Sequence, residues 1–121
     1  METKKTLVLG ATTNPGRYAY LAANRLVGKG HPIINVGAKE GEVAGVAIEK
    51  PETIHPDVDT LTLYIGAQNQ PSLYNYILQT RPKRIIFNPG SENPELEQMA
   101  NEQGIETLEA CTLVMLATGQ Y

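Results

Sequence analysis

Cysteine is nearly missing from this chain: among 121 residues the only one is Cys111. That excludes an internal disulfide framework and a thiolate metal cluster. Long hydrophobic runs are missing too. None approaches the ~18 residues of a membrane span, and the opening Met1-Glu2-Thr3-Lys4-Lys5 lacks the apolar core of a signal peptide. Charge of one sign is not concentrated anywhere. Thirteen acidic residues stand against ten basic ones, with net charge −3 and a pI near 5.3. No basic field therefore favours nucleic acid or a membrane surface. Repeats, low-complexity tracts and linkers are absent. The expectation is a cytoplasmic protein of one domain, residues 1–121, long enough to bury a real core.

Catalytic constellations are also lacking. His31 precedes a strand, at the edge opposite to where ligands bind, and His55 lies in a loop before Pro56; neither has a nucleophile or acid at a recognisable spacing. Asp57 and Asp59 flank a strand opening and read as a solvated turn. No catalytic residue and no metal site is expected, and an enzyme is the less favoured reading.

What the chain does have is an alternation. Thr6 to Leu9 is a β-branched and apolar strand. Residues from about 15 to 28 carry a helical pattern that closes at Gly28 and Gly30. Further strands are read at Pro32–Val36, Val46–Ile48, Thr60–Ile65, Arg84–Asn88 and Ile105–Leu108. Helices are read from Pro71 to Thr80, with Leu73, Tyr74, Ile77 and Leu78 at i, i+4 spacing, and from Asn93-Pro94 to Gly104, with a short helix starting at Thr112. Pro51–Ile54 reads as one helical turn. Strands alternating with helices predict an α/β fold: a Rossmann-like, doubly wound parallel sheet of about five strands in three layers.

Such sheets bind ligands at the carboxyl ends of their strands. The first of these ends is the segment Gly10-Ala11-Thr12-Thr13-Asn14-Pro15-Gly16-Arg17. A glycine turn before a helix presents backbone N–H groups at the helix's positive end, which suits phosphate. Asn14 is read as the helix cap and Pro15 as its first residue. The spacing is not the dinucleotide Gly-x-Gly-x-x-Gly, and an ordinary strand–helix turn fits as well. After the second strand, Val36-Gly37-Ala38-Lys39 has no acid to accept ribose hydroxyls, whereas Lys39 suits an added phosphate. That disfavours NAD and leaves NADP or coenzyme A, or else a solvated lysine. Gly66-Ala67-Gln68 and Asn88-Pro89-Gly90 either border a ligand groove or form plain loops. Cys111 follows the last strand and either faces that edge or packs as a small core residue.

Leu9-Gly10-Ala11-Thr12 with Asn14-Pro15 resembles the opening of small stand-alone CoA-binding proteins, which are similar to the N-terminal domain of the succinyl-CoA synthetase alpha subunit. Lys39, Gly41-Glu42-Val43-Ala44-Gly45, Asn88-Pro89-Gly90, Gly104-Ile105 and Cys111 extend the resemblance along nearly the whole chain. Gly37-Ala38 departs from it, standing where members commonly have Asn-Pro. The resemblance implies a CoA-binding protein without catalysis of its own. Gly10, Ala11, Thr12, Thr13, Asn14, Gly16 and Arg17 would take the phosphates and Lys39 a phosphate near the adenosine. Gly66, Ala67, Gln68, Asn88, Pro89 and Gly90 would line the remainder. The alternatives are an NADP-dependent oxidoreductase and a Rossmann-like domain used for protein–protein contact, with an oligomer or partner protein left open.

Overall fold

A computed structural model describes residues 2–121. Seven strands form one sheet: β1 (Thr6–Leu9), β2 (Ile33–Val36), β3 (Glu42–Val43), β4 (Val46–Glu49), β5 (Thr60–Leu63), β6 (Arg84–Phe87) and β7 (Glu106–Glu109), in the order β3-β4-β2-β1-β5-β6-β7. All neighbours are parallel except β3 and β4. The Rossmann-like reading is correct, but the count is seven rather than about five. The strand read at Val46–Ile48 is present as β4, and the pairing that was not read is with β3, which lies in the Gly- and Glu-containing stretch before it. A two-residue strand such as β3 carries no periodic signal.

The four central strands are buried along their whole length, as parallel strands covered on both faces must be. Alternation sends Leu7 and Leu9 to one face and Val8 to the other. The first face packs under α2 (Tyr74–Thr80) and α3 (Pro94–Glu102) through Ile77, Leu96 and Ala100. The second packs under α1 (Tyr18–Gly28) and α4 (Thr112–Thr118) through Ala19, Ala23, Leu26 and Leu116. The result is three layers. A fully buried leucine such as Leu26 or Leu96 contributes about 1.5–3 kcal/mol by leaving water.

Three local expectations need correction. The first helix starts at Tyr18, not near residue 15, and Asn14 does not cap it: Arg17 occupies the cap position with no side-chain bond. Asn14 Oδ1 accepts from Gly16 N at 2.9 Å, and Arg17 N donates to Asn14 O at 3.1 Å, so Asn14 to Arg17 is a turn. Pro71–Thr80 is not one helix. Turns of 3-10 type at Ala67–Asn69 and Pro71–Leu73 precede α2. Pro51–Ile54 is a turn without helix. The close of the first helix is as expected: Gly30, at φ +86°, lets His31 N reach back to Leu26 O.

Candidate functional site at the carboxyl edge

The chain leaves β1 toward β2 on one side and reaches β5 on the other. The crevice above β1 and β5 is therefore the sheet's topological switch point, where doubly wound folds bind ligands. A shallow cleft of about 130 Å³ opens there, lined by Gly10, Thr12, Arg17, Tyr18, Ala19 and Tyr64.

Glycine is required at its floor. Gly10 sits at φ +102°, and a Cβ there would lie 2.9 Å from Tyr64 O. The N–H groups of Gly10 and Ala11 both donate to Val36 O. Those of Asn14, Gly16 and Arg17 are engaged within the turn. Among the described residues, nothing accepts from the N–H of Thr12 or Thr13. Together with the first N–H groups of α1, which no helix can satisfy internally, they form a donor set suited to an anion. Thr13, Asn14, Gly16 and Arg17 are exposed, Gly10 and Thr12 are half-buried, and Ala11 is buried.

Tyr64 forms the far wall. Its hydroxyl is buried, with no hydrogen-bond partner among the described residues. Burial pushes its pKa up to about 12, with the nearby Thr62 and Thr112 hydroxyls pulling the other way. It is a neutral phenol at any physiological pH. Cys111, at the exit of the last strand, is half-buried.

The second-strand loop leans on the first. A Cβ on Gly37 would lie 2.3 Å from Ala11 O, and one on Gly41 2.4 Å from Thr13 Cγ2. Lys39 is exposed beyond this contact and has no ion pair among the described residues. The sequence shows no acid after β2, yet the fold brings one from the neighbouring strand. Glu49 at the end of β4 pairs in register with Val36 at the end of β2. Its carboxylate is already taken by His55 Nε2 at 3.0 Å. The reading of His55 as lacking an acid partner is thereby corrected: Glu49 is too near in sequence to look catalytic, and only strand pairing with the following turn brings the two together.

The remaining predicted residues separate into two kinds. Gly66 and Ala67 are half-buried and Gln68, Pro89 and Gly90 exposed along the edge. Asn88 is 2% exposed and its amide is fully engaged: Nδ2 donates to Thr62 Oγ1 and Leu63 O, and Oδ1 accepts from Thr112 N. Its role is to tie β5, β6 and α4 together beneath the cleft. Gln70, which sequence reading passed over, does the same between two loops. It is 0% exposed, donates from Nε2 to Ile65 O and Ser91 O, and accepts from Asn93 Nδ2, each at 2.8 Å. Nothing in the run Gln68-Asn69-Gln70 distinguishes the buried glutamine from the exposed one. The edge is thus held rigid by buried polar groups that are mutually satisfied.

The profile of a CoA binding domain matches residues 4–117. The chain belongs to the CoA-binding domain family. A crystal structure described only as that of an uncharacterized protein is 56% identical, with each chain covered completely and a TM-score of 0.97. A Thermus thermophilus protein is 23% identical over 98% of this chain and 91% of its own, with a TM-score of 0.86. A hypothetical protein from Pyrococcus horikoshii OT3 is 21% identical over 96% and 83%, also at 0.86. The last two show the shared fold. No match is found among the curated proteins.

Proposed function

We propose that this CoA-binding family domain binds CoA or an acyl-CoA at the carboxyl edge of the sheet and carries no catalytic machinery of its own. The observation that supports the reading most is the Gly10–Arg17 loop: unclaimed N–H groups at Thr12 and Thr13, a glycine floor that a Cβ would fill, and the start of α1, all beside the switch-point cleft. These residues fit a diphosphate. Arg17 adds a cation at the cleft and Lys39 a second, farther along the edge, for a phosphate on the ribose. Gly66 to Gln68 and the exposed Pro89-Gly90 offer a border for the rest of the ligand, with Asn88 as a support beneath it. Among the described residues no nucleophile, acid–base set or redox group is assembled in the cleft, and binding alone is the expected activity.

Titration calorimetry with CoA, dephospho-CoA, NADP and NAD tests this. A partly exposed charge contact is worth about 1 kcal/mol, rising to about 3 when shielded and hydrogen-bonded. CoA should therefore bind roughly five- to a hundredfold tighter than dephospho-CoA. Lys39→Glu should narrow that gap. Gly16→Val should weaken both ligands alike; an added Cβ there meets only Asn14 Oδ1, at 3.3 Å. Equal affinity for CoA and dephospho-CoA would remove the role of Lys39. Tighter NADP than CoA would instead favour the oxidoreductase reading.

A further inference from the structure

The amino edge of the sheet, opposite the cleft, holds a second assembly that the CoA reading leaves unused. Tyr121 folds back from α4 and lies against two cations and the His31 ring. The Arg84 guanidinium is 4.6 Å from its ring centre, Lys4 Nζ is 5.9 Å away, and the His31 ring centre is 5.0 Å away. Arg84 Nη2 donates to Tyr121 O at 2.8 Å, and the Tyr121 hydroxyl is hydrogen-bonded to Thr6 Oγ1. The turn that delivers Tyr121 is closed by Gln120 N donating to Met115 O at 2.8 Å. Tyr121 thus joins β1, β6 and α4 at one point.

His31, 7% exposed, is set into this assembly in one protonation state. Its Nδ1 accepts from the backbone N–H of Lys4 at 3.0 Å. A nitrogen that accepts cannot carry a proton, so the ring is the neutral Nε2–H tautomer. Protonation would turn Nδ1 into a donor facing a donor and place a third cation beside Lys4 and Arg84. The other charged groups around the ring are Glu2 and Lys29, which line the cleft outside it, and Asp59. Of these, Asp59 and Glu2 would favour the charged ring. Asp59 Oδ1 is already engaged by Thr60 Oγ1, which itself accepts from Arg84 Nε, each at 2.7 Å. Burial, Lys4 and Arg84 accordingly hold the His31 pKa below its ordinary 6.5.

We infer that the His31–Tyr121 assembly is a pH-sensitive latch, closed while His31 is neutral and released by its protonation, which frees the segment after α4 and the strand-leading residue Lys4 together. The latch is independent of the CoA reading, because it is read out by local opening rather than by ligand binding.

Amide exchange by NMR on the full chain tests it, with rates corrected for intrinsic chemistry at about pH 7.5 and about pH 5. In the wild type, protection at residues 116–121 and at Lys4 should fall by at least about threefold at the lower pH, with the His31 ring titrating at the same midpoint. His31→Asn keeps an acceptor for Lys4 N but cannot titrate, and should hold its protection at both values. Protection that changes by less than threefold in the wild type overturns the latch. So does a ring that stays neutral throughout, or an Asn variant that loses protection as the wild type does. If the Asn variant fails to fold, the coincidence of the two wild-type midpoints decides.

Discussion

A single backbone-to-backbone contact governs the ligand edge at the residue scale. Gly37 faces Ala11 O so closely that an ideal Cβ would stand 2.3 Å from it and 3.2 Å from Ile48 Cγ2. Neither chain can retreat freely. Gly37 N is bonded to Glu49 O at 3.0 Å, and Gly10 N and Ala11 N to Val36 O at 2.9 and 3.0 Å. Gly37→Ala should therefore destabilise the fold by about 1–3 kcal/mol, the range of an overpacked core, and should weaken CoA by displacing the Ala11 end of the phosphate-facing loop. Gly28→Ala is the control: nothing lies within 4 Å of its Cβ, and it should be neutral or add about 0.5–1 kcal/mol by relieving a helical glycine. Urea unfolding of the two variants separates them, and a Gly37→Ala protein as stable as the wild type contradicts the contact. The sequence marks Gly37 only as a departure from the family's Asn-Pro. That the departure is a contact with Ala11 is invisible there, because the two residues meet only once β1 and β2 pair.

At the scale of elements, one dipeptide appears twice and does two different things. Asn93-Pro94 opens α3 as expected: Asn93 Oδ1 accepts from Glu95 N and Leu96 N at 3.1 and 3.2 Å. Asn14-Pro15 opens no helix. The following residues explain the difference. Glu95, Leu96 and Glu97 favour a first helical turn, with acids at its positive end. Gly16 instead completes an Asn-Pro-Gly turn and leaves Arg17 extended at φ −99°, ψ 146°. Asn93 also donates to Gln70 Oε1 and Tyr74 Oη, each at 2.8 Å, so it joins α3 to the loop after β5. Asn93→Ala should cost about 2–3 kcal/mol, a lost cap plus a buried acceptor left unpaired. Asn14→Ala, at an exposed turn, should stay within about 0.5 kcal/mol. Thermal unfolding of both checks the contrast, and equal losses would show that Asn14 carries weight in the fold. Element type was thus legible from the alternation of β-branched runs and helical faces. Boundaries and caps were not, since they depend on which local hydrogen bond wins. The candidate edge was legible for the same topological reason, while its buried supports, Gln70 and Asn88, were not, because burial of an amide leaves no mark in composition.

On the scale of the whole molecule, two titrating groups on opposite edges of the sheet act on stability with opposite signs. Glu97, on α3 at the carboxyl edge, has its carboxyl pKa pushed up to about 6 from 4.5, first by burial and then by the carboxylates of Glu109 and Glu92. A raised folded value means that the folded state holds the proton more tightly. Its contribution is fully present below 4.5 and is lost as pH rises through about 6. His31, at the amino edge, has its pKa lowered from 6.5 by burial, Lys4 and Arg84. There the unfolded chain binds the proton more tightly, so the contribution is present above 6.5 and is lost as pH falls below it. The pair of Lys5 with Asp57 acts elsewhere: that carboxyl is held below 3.8, chiefly by its hydrogen bond to Lys5, and its contribution fades only as pH falls below that value. Between 4.5 and 6.5 the two opposed groups therefore flatten the wild-type curve. Removing one should expose the other. Glu97→Gln should become less stable on acidification across this window, and His31→Asn more stable. Urea midpoints taken at half-unit steps through the window measure both slopes. Slopes of the same sign in the two variants would mean that one of these groups does not titrate as its surroundings require.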